Sequence, residues 1–194
     1  HSSPIQLTVT GDLLFFVWDD LTMPLYVYDP VTGNARRIGA TENMTRPRLM
    51  TPWNGKLYFS AIDLVMGTGW ELWRYDPSTD DLRRFPELLP GTASGVEFPR
   101  SLWETSFTIS GDRLFFVGIT PAAGAELYAI LPNETIVRAT DIFPGEGDTD
   151  PKFMASIGGM LYFAADKPLL GVEPWKLDPT IIMEPGGPAG WRIR

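Results

Sequence analysis

An all-β fold is what this 194-residue sequence predicts, and three observations predict it. A short apolar strand returns four times behind a glycine, as Gly11-Asp12-Leu13-Leu14-Phe15-Phe16, Gly55-Lys56-Leu57-Tyr58-Phe59, Gly111-Asp112-Arg113-Leu114-Phe115-Phe116 and Gly159-Met160-Leu161-Tyr162-Phe163. The 19 glycines and 18 prolines are spread evenly, which marks many short elements. No stretch of helix length is amphipathic, because Pro or Gly interrupts almost every window where one would begin. Four units of four short strands, spaced about 43 to 52 residues apart, use up the chain. That is the signature of a four-bladed β-propeller with four antiparallel strands per blade.

Each unit opens on a first strand carrying Pro-x-x-Leu/Met: Pro4 with Leu7, Pro47 with Met50, Pro99 with Leu102, Pro151 with Met154. The second strand is the aromatic one, entered through a Gly turn. It does not alternate apolar with polar, so both of its faces are expected to be buried. The third strand starts at Pro24-Leu25-Tyr26, Glu71-Leu72-Trp73, Glu126-Leu127-Tyr128 and Glu173-Pro174-Trp175. Asp29-Pro30, Asp76-Pro77, Leu131-Pro132 and Asp178-Pro179 then form turns, since Pro presets φ and Asp bonds its own backbone. An Arg six residues past the Pro, at Arg36, Arg83 and Arg138, marks the fourth strand, and Pro90-Gly91 and Pro144-Gly145 close the second and third units. These spacings set blades at about 4–46, 47–98, 99–150 and 151–194, all within one domain. The third copy is longer by about five residues around Trp103 to Phe107. In the fourth, either Thr180 to Met183 or Trp191 to Arg194 is the outermost strand.

The succession Leu-Tyr-Phe, Gly-x-Glu-Leu-Trp, turn, Asp-Ile-x-Pro-Gly, Pro-x-x-Leu/Met resembles the ELWxxDGT-type propeller repeat of bacterial secreted and surface proteins. Gly69-Trp70-Glu71-Leu72-Trp73, Gly124-Ala125-Glu126-Leu127-Tyr128 and Asp141-Ile142-Phe143-Pro144-Gly145 carry the resemblance, with Asp-Pro in place of the Asp-Gly-Thr turn and Pro24 in place of the Glu. It implies a propeller and secretion to the outside or the cell surface, with a signal peptide already removed ahead of His1. It assigns no chemistry.

A net charge of −8 disfavours nucleic acid and anionic membrane surfaces, which need a basic footprint. No apolar run approaches the roughly 20 residues of a membrane-spanning helix. With no cysteine there is neither disulfide nor thiolate zinc. The single histidine, His1, rules out a Ser-His-Asp triad within one chain. No catalytic residue and no cofactor is therefore expected.

Glu71, Glu126 and Glu173 occupy equivalent positions; their expected role is a repeated hydrogen bond or ion pair anchoring each blade, with a symmetric ligand site as the alternative. Asp20, Asp63 and Asp166 follow the second strands. They are the residues that could ring one mouth and hold calcium, against the plainer reading as solvated loop residues. Most of the seven tryptophans recur at strand positions and belong to the core. Trp103, Phe107, Ile181, Ile182 and Trp191, in segments that break the repeat, are the interaction candidates. Asn43 and Asn133 stand in glycosylation sequons at expected exposed connections.

Because the chain enters at a first strand and leaves at or near a fourth, no strand is shared between its ends. The ring is expected either to close on packing between blades one and four or to be completed by another copy. The function expected is non-catalytic: an extracellular propeller working through protein contacts, most specifically by self-assembly into an oligomer or filament. A glycan-binding propeller is the alternative, and a carboxylate-dependent hydrolase comes last.

Overall fold

The computed structural model describes residues 3–39, 43–96, 107–145, 147–167 and 169–180. The chain divides into two compact units, His1–Gly95 and Val96–Arg194, each holding two blades.

In the first unit, β1 (Pro4–Thr10), β2 (Leu13–Trp18), β3 (Leu25–Asp29) and β4 (Asn34–Ile38) pair in chain order as one antiparallel sheet. A second sheet follows in the same order: β5 (Met44–Trp53), β6 (Lys56–Asp63), β7 (Trp70–Asp76) and β8 (Asp81–Arg84). The second unit repeats the plan with β9 (Phe107–Ser110), β10 (Arg113–Thr120), β11 (Gly124–Ile130) and β12 (Ile136–Arg138). Its other sheet holds β13 (Lys152–Ile157), β14 (Met160–Lys167) and β15 (Gly171–Leu177). Both expected positions for a fourth strand of that blade lie, from residue 181 on, outside the described residues.

The turn before each aromatic strand needs its glycine, since Gly11, Gly55, Gly111 and Gly159 all sit at φ between +59° and +78°. The Asp turns close as Asx turns. Asp29 Oδ1 accepts the Val31 amide at 2.8 Å, Asp76 Oδ1 that of Ser78 at 3.0 Å and Asp178 Oδ1 that of Thr180 at 2.9 Å. The Pro-x-x-Leu/Met motif proves to be a bulge. The residue two past the Pro is left-handed at Gln6, Leu49 and Phe153, with φ of 52°, 60° and 56°, and the pairing of β1, β5 and β13 slips there.

Register gives the equivalences between blades. Leu14, Leu57, Leu114 and Leu161 face Tyr28, Tyr75, Ile130 and Leu177; two residues on, Phe16, Phe59, Phe116 and Phe163 face Tyr26, Trp73, Tyr128 and Trp175. Arg36, Arg83 and Arg138 all lie on fourth strands, as expected, while the arginines opposite those aromatics are Arg37, Arg84 and Arg138. The first two blades carry one more turn residue.

Each unit has one core between its blades. In the first it comprises Phe15, Leu25, Val27, Ile38, Met44, Leu57, Phe59, Ala61, Trp73 and Tyr75. The second is built on Phe115, Val117, Leu127, Leu161, Phe163, Trp175 and Leu177 with their smaller neighbours. Trp73 Nε1 donates to Ala61 O at 3.2 Å and Trp175 Nε1 to Ala165 O at 3.3 Å, so these indoles are structural.

Burial on both strand faces holds for two blades and fails for two. Every residue of β6 from Leu57 to Ala61 is buried, as is every residue of β10 from Leu114 to Val117. In β2, Phe15 and Val17 are buried while Leu14 and Phe16 stay partly exposed, and in β14 Leu161 and Phe163 are buried while Tyr162 stays partly exposed. The two end strands therefore alternate, as strands of a one-sided sheet do.

Candidate functional site

The recurring glutamate takes two forms. Glu71 on β7 and Glu126 on β11 are 1% and 0% exposed, whereas Glu173 on β15 is exposed. The buried pair reach the segment that leaves their blade. Glu71 Oε1 accepts the Gly95 amide at 3.1 Å, and Glu126 Oε2 accepts the Thr140 hydroxyl at 2.7 Å. The same segment is stitched down beside them: the Trp70 amide donates to Ser94 Oγ at 3.1 Å and the Ala125 amide to Asp148 Oδ1 at 2.7 Å. Ser94 and Asp148 each stand four residues past the Pro of the Pro-Gly pair. Arg84 pairs with Glu87 at 2.9 Å and Arg138 with Asp141 at 3.1 Å, again at matching places. The Asp-Ile-x-Pro-Gly signature is thus the strap of a clamp whose other jaw is the buried glutamate. A side chain at Gly69 would meet the Ala93 backbone at 2.5 Å, so the strap lies directly on the strand.

Burial raises the Glu71 carboxyl to about 7, with Glu87 adding to it while the Gly95 and Leu88 amides and Arg84 oppose. Glu126 is also pushed up, first by burial and further by Asp141, against the Thr140 and Thr149 hydroxyls and the Phe143 amide.

The three loop aspartates have separate local jobs. Asp20 Oδ1 accepts the Thr22 and Met23 amides at 2.7 and 2.8 Å and the Thr22 hydroxyl at 2.9 Å; these bonds, the Thr22 hydroxyl first, hold its carboxyl below its ordinary value. Asp63, buried, accepts the Val65 and Met66 amides at 3.0 Å each. The exposed Asp166 donates its own amide to Thr149 O at 2.7 Å. Among the described residues no three acidic or histidine side chains come together as a metal cluster. Beside their exposed polar groups these loops also present apolar side chains outward, at Leu21, Leu64, Val65, Met66, Leu169 and Leu170.

Asn43 and Asn133 are both exposed, and Asn133 Oδ1 accepts the Thr135 amide at 3.0 Å. Phe107 opens β9 and lies partly exposed, edge-on to Phe116 with ring centroids 6.0 Å apart. Trp103, Ile181, Ile182 and Trp191 lie outside the described residues.

Sequence reasoning missed the aromatic face of β2 and β3. Phe16 stacks on Tyr26 at 5.5 Å and 12°, with Trp18 tilted at 6.2 Å from one and 6.3 Å from the other. All three are partly exposed, while the residues matching Phe16, which are Phe59, Phe116 and Phe163, are 0%, 0% and 4% exposed. Phe16 is the same letter in each copy, but Trp18 stands where the other copies have Ala61, Gly118 and Ala165, and that exchange was the available signal.

The fold defined by these sheets is that of a four-bladed β-propeller, and solved propellers resemble it. TolB from Acinetobacter baumannii matches 94% of this chain with 42% of its own, at a TM-score of 0.53 and 16% identity. The β-propeller domain of the Trilobed protease from Pyrococcus furiosus, described as revealing an open velcro topology, matches 98% with 56% of its own, at 0.58 and 13%. A puromycin hydrolase S511A mutant complexed with PGG matches 84% with 25% of its own, at 0.50 and 18%. The chain thus spans between a quarter and just over half of these proteins' length. No family model and no curated protein sequence matches it.

Proposed function

We propose that this chain is a non-catalytic propeller module that acts through protein contacts, and that copies of it associate with one another outside the cell or at its surface. The observation that carries this is the partly exposed Phe16, Trp18 and Tyr26 face, set against the burial of its equivalents in the other blades. Partly exposed Tyr162 on β14 gives a second such face, since its equivalents Phe15, Tyr58 and Phe115 are at most 1% exposed. Two different faces, one at each end of the blade series, suit a heterologous contact between copies, which propagates unless its rotation closes. The resemblance to the ELWxxDGT-type repeat and the exposed sequons support an extracellular setting.

Replacing Trp18 with Glu places a charge on the first face without touching either core. The expected result is loss of the associated species with the circular dichroism unchanged. An associated species that survives Trp18→Glu, and likewise Phe16→Glu, overturns the proposed face. Glycan binding is the second reading, favoured by the stacked Phe16 and Tyr26 rings as a sugar platform. Tryptophan fluorescence that responds to sugars in wild type and not in Phe16→Ala would move the function there.

A further inference from the structure

The strap after β8 is held by a carboxylate that, among the described residues, has no cation of its own. Glu71 faces Ala61 across β6, an uncharged neighbour. From the end of β8 it faces Arg84, but Arg84 is engaged by Glu87 at 2.9 Å. From the strap it faces Glu87 itself, whose second oxygen accepts the Gly91 amide at 3.3 Å. What remains for Glu71 is backbone N–H, given by Gly95 at 3.1 Å and by Leu88. The site has no slack. A Cβ on Gly95 would stand 2.7 Å from Glu71 Oε2 and 3.1 Å from the Leu89 nitrogen. Burial beside Glu87 disfavours the charged form of Glu71 more than the Gly95 and Leu88 amides and Arg84 favour it.

We propose that Glu71 is a proton-controlled latch: neutral, it holds the 85–95 strap against β7, and on losing its proton it loosens that strap. The strap is the second blade's exit, so this blade's grip on its outgoing chain depends on pH. The sign follows from the carboxyl being raised, to about 7 from an ordinary 4.5. Stability from the latch is fully present below about 4.5 and is lost as pH rises through about 7. One proton limits the effect to about tenfold in strap opening per pH unit.

The test follows the Gly95 amide in the intact chain from pH 4.5 to 8.5, by its chemical shift and by its hydrogen exchange corrected for the intrinsic pH dependence. Wild type is expected to show a shift with a midpoint near 7 and strap opening that grows with pH. Glu71→Gln, which keeps an oxygen acceptor and cannot ionise, is expected to lose both, while Glu173→Gln at the equivalent exposed place keeps them. A wild-type amide with no transition between 4.5 and 8.5, or a transition that persists in Glu71→Gln, overturns the latch. Should Glu71→Gln fail to fold, the wild-type titration alone decides the matter.

Discussion

The second and fourth blades carry a glutamate at the same place in the repeat and use it in opposite ways. Glu71 is buried under a strap, and Glu173 is exposed. The strand does not differ in kind, since Trp73 and Trp175 make the same indole bond one turn of the pleat away. Glu71 is covered from downstream: a Pro-Gly strap follows the second blade, with Ser94 to receive the Trp70 amide, whereas the residues that follow the fourth blade from 181 on lie outside the described ones. The third blade has its own strap and its own buried Glu126. In the first blade, where the next sheet begins at Met44 directly after β4, Pro24 replaces the glutamate. Where a described strap follows, the repeated glutamate is buried beneath it.

The largest effect that sharpens this contrast is in packing. Phe59→Ala in the second blade should cost about 3–5 kcal/mol, as a fully buried aromatic does, and the equivalent Phe16→Ala in the first about half of that. Denaturant midpoints with unchanged slopes would establish the difference. Equal losses would mean that the first blade's face is as well covered as the others.

Next comes the clamp. Glu126→Ala leaves the buried Thr140 hydroxyl without its acceptor and should cost about 1–3 kcal/mol, while Glu173→Ala should stay within about 0.5 kcal/mol of wild type. Thermal denaturation at pH 6 distinguishes the two. If Glu173→Ala destabilises as much as Glu126→Ala, then the two glutamates share a role and the contrast fails.

The smallest effect belongs to features that both regions share. Asp29 and Asp178 are held below their ordinary 3.8, Asp29 first by the Val31 amide and Asp178 first by the Thr180 hydroxyl. Lowered carboxyls give stability that is present above about 3.8 and is lost as pH falls through their folded values. The melting temperature should therefore fall below pH 4 by the same amount in wild type and in Glu71→Gln. An acid limb that vanishes with Glu71 would show that the Asx turns contribute nothing.

Much of this fold was legible because its signals are local. A glycine at positive φ, an Asp-Pro turn and an aromatic run each act within a few residues, and all four copies could be read without knowing what lay across the sheet. The arginines marked the fourth strands correctly, but which of them stand at equivalent places was not legible, because a turn shortened by a residue in the third blade changes the count from the Pro while leaving the cross-strand register intact. The carboxylates of Asp20 and Asp63 bond amides of their own loops, a local role decided by backbone geometry that spacing does not reveal. The partly exposed face of Phe16 was hidden for a deeper reason. Burial on the far side of a strand is set by the neighbouring blade, and Phe16 and Phe59 are the same letter in the same motif.

The most direct test of the account is the mass of the purified wild-type protein in solution, by light scattering across concentrations at physiological salt. The account predicts a mass above that of the 21.6 kDa chain, rising with concentration. A mass of 21.6 kDa at every concentration would contradict association between copies.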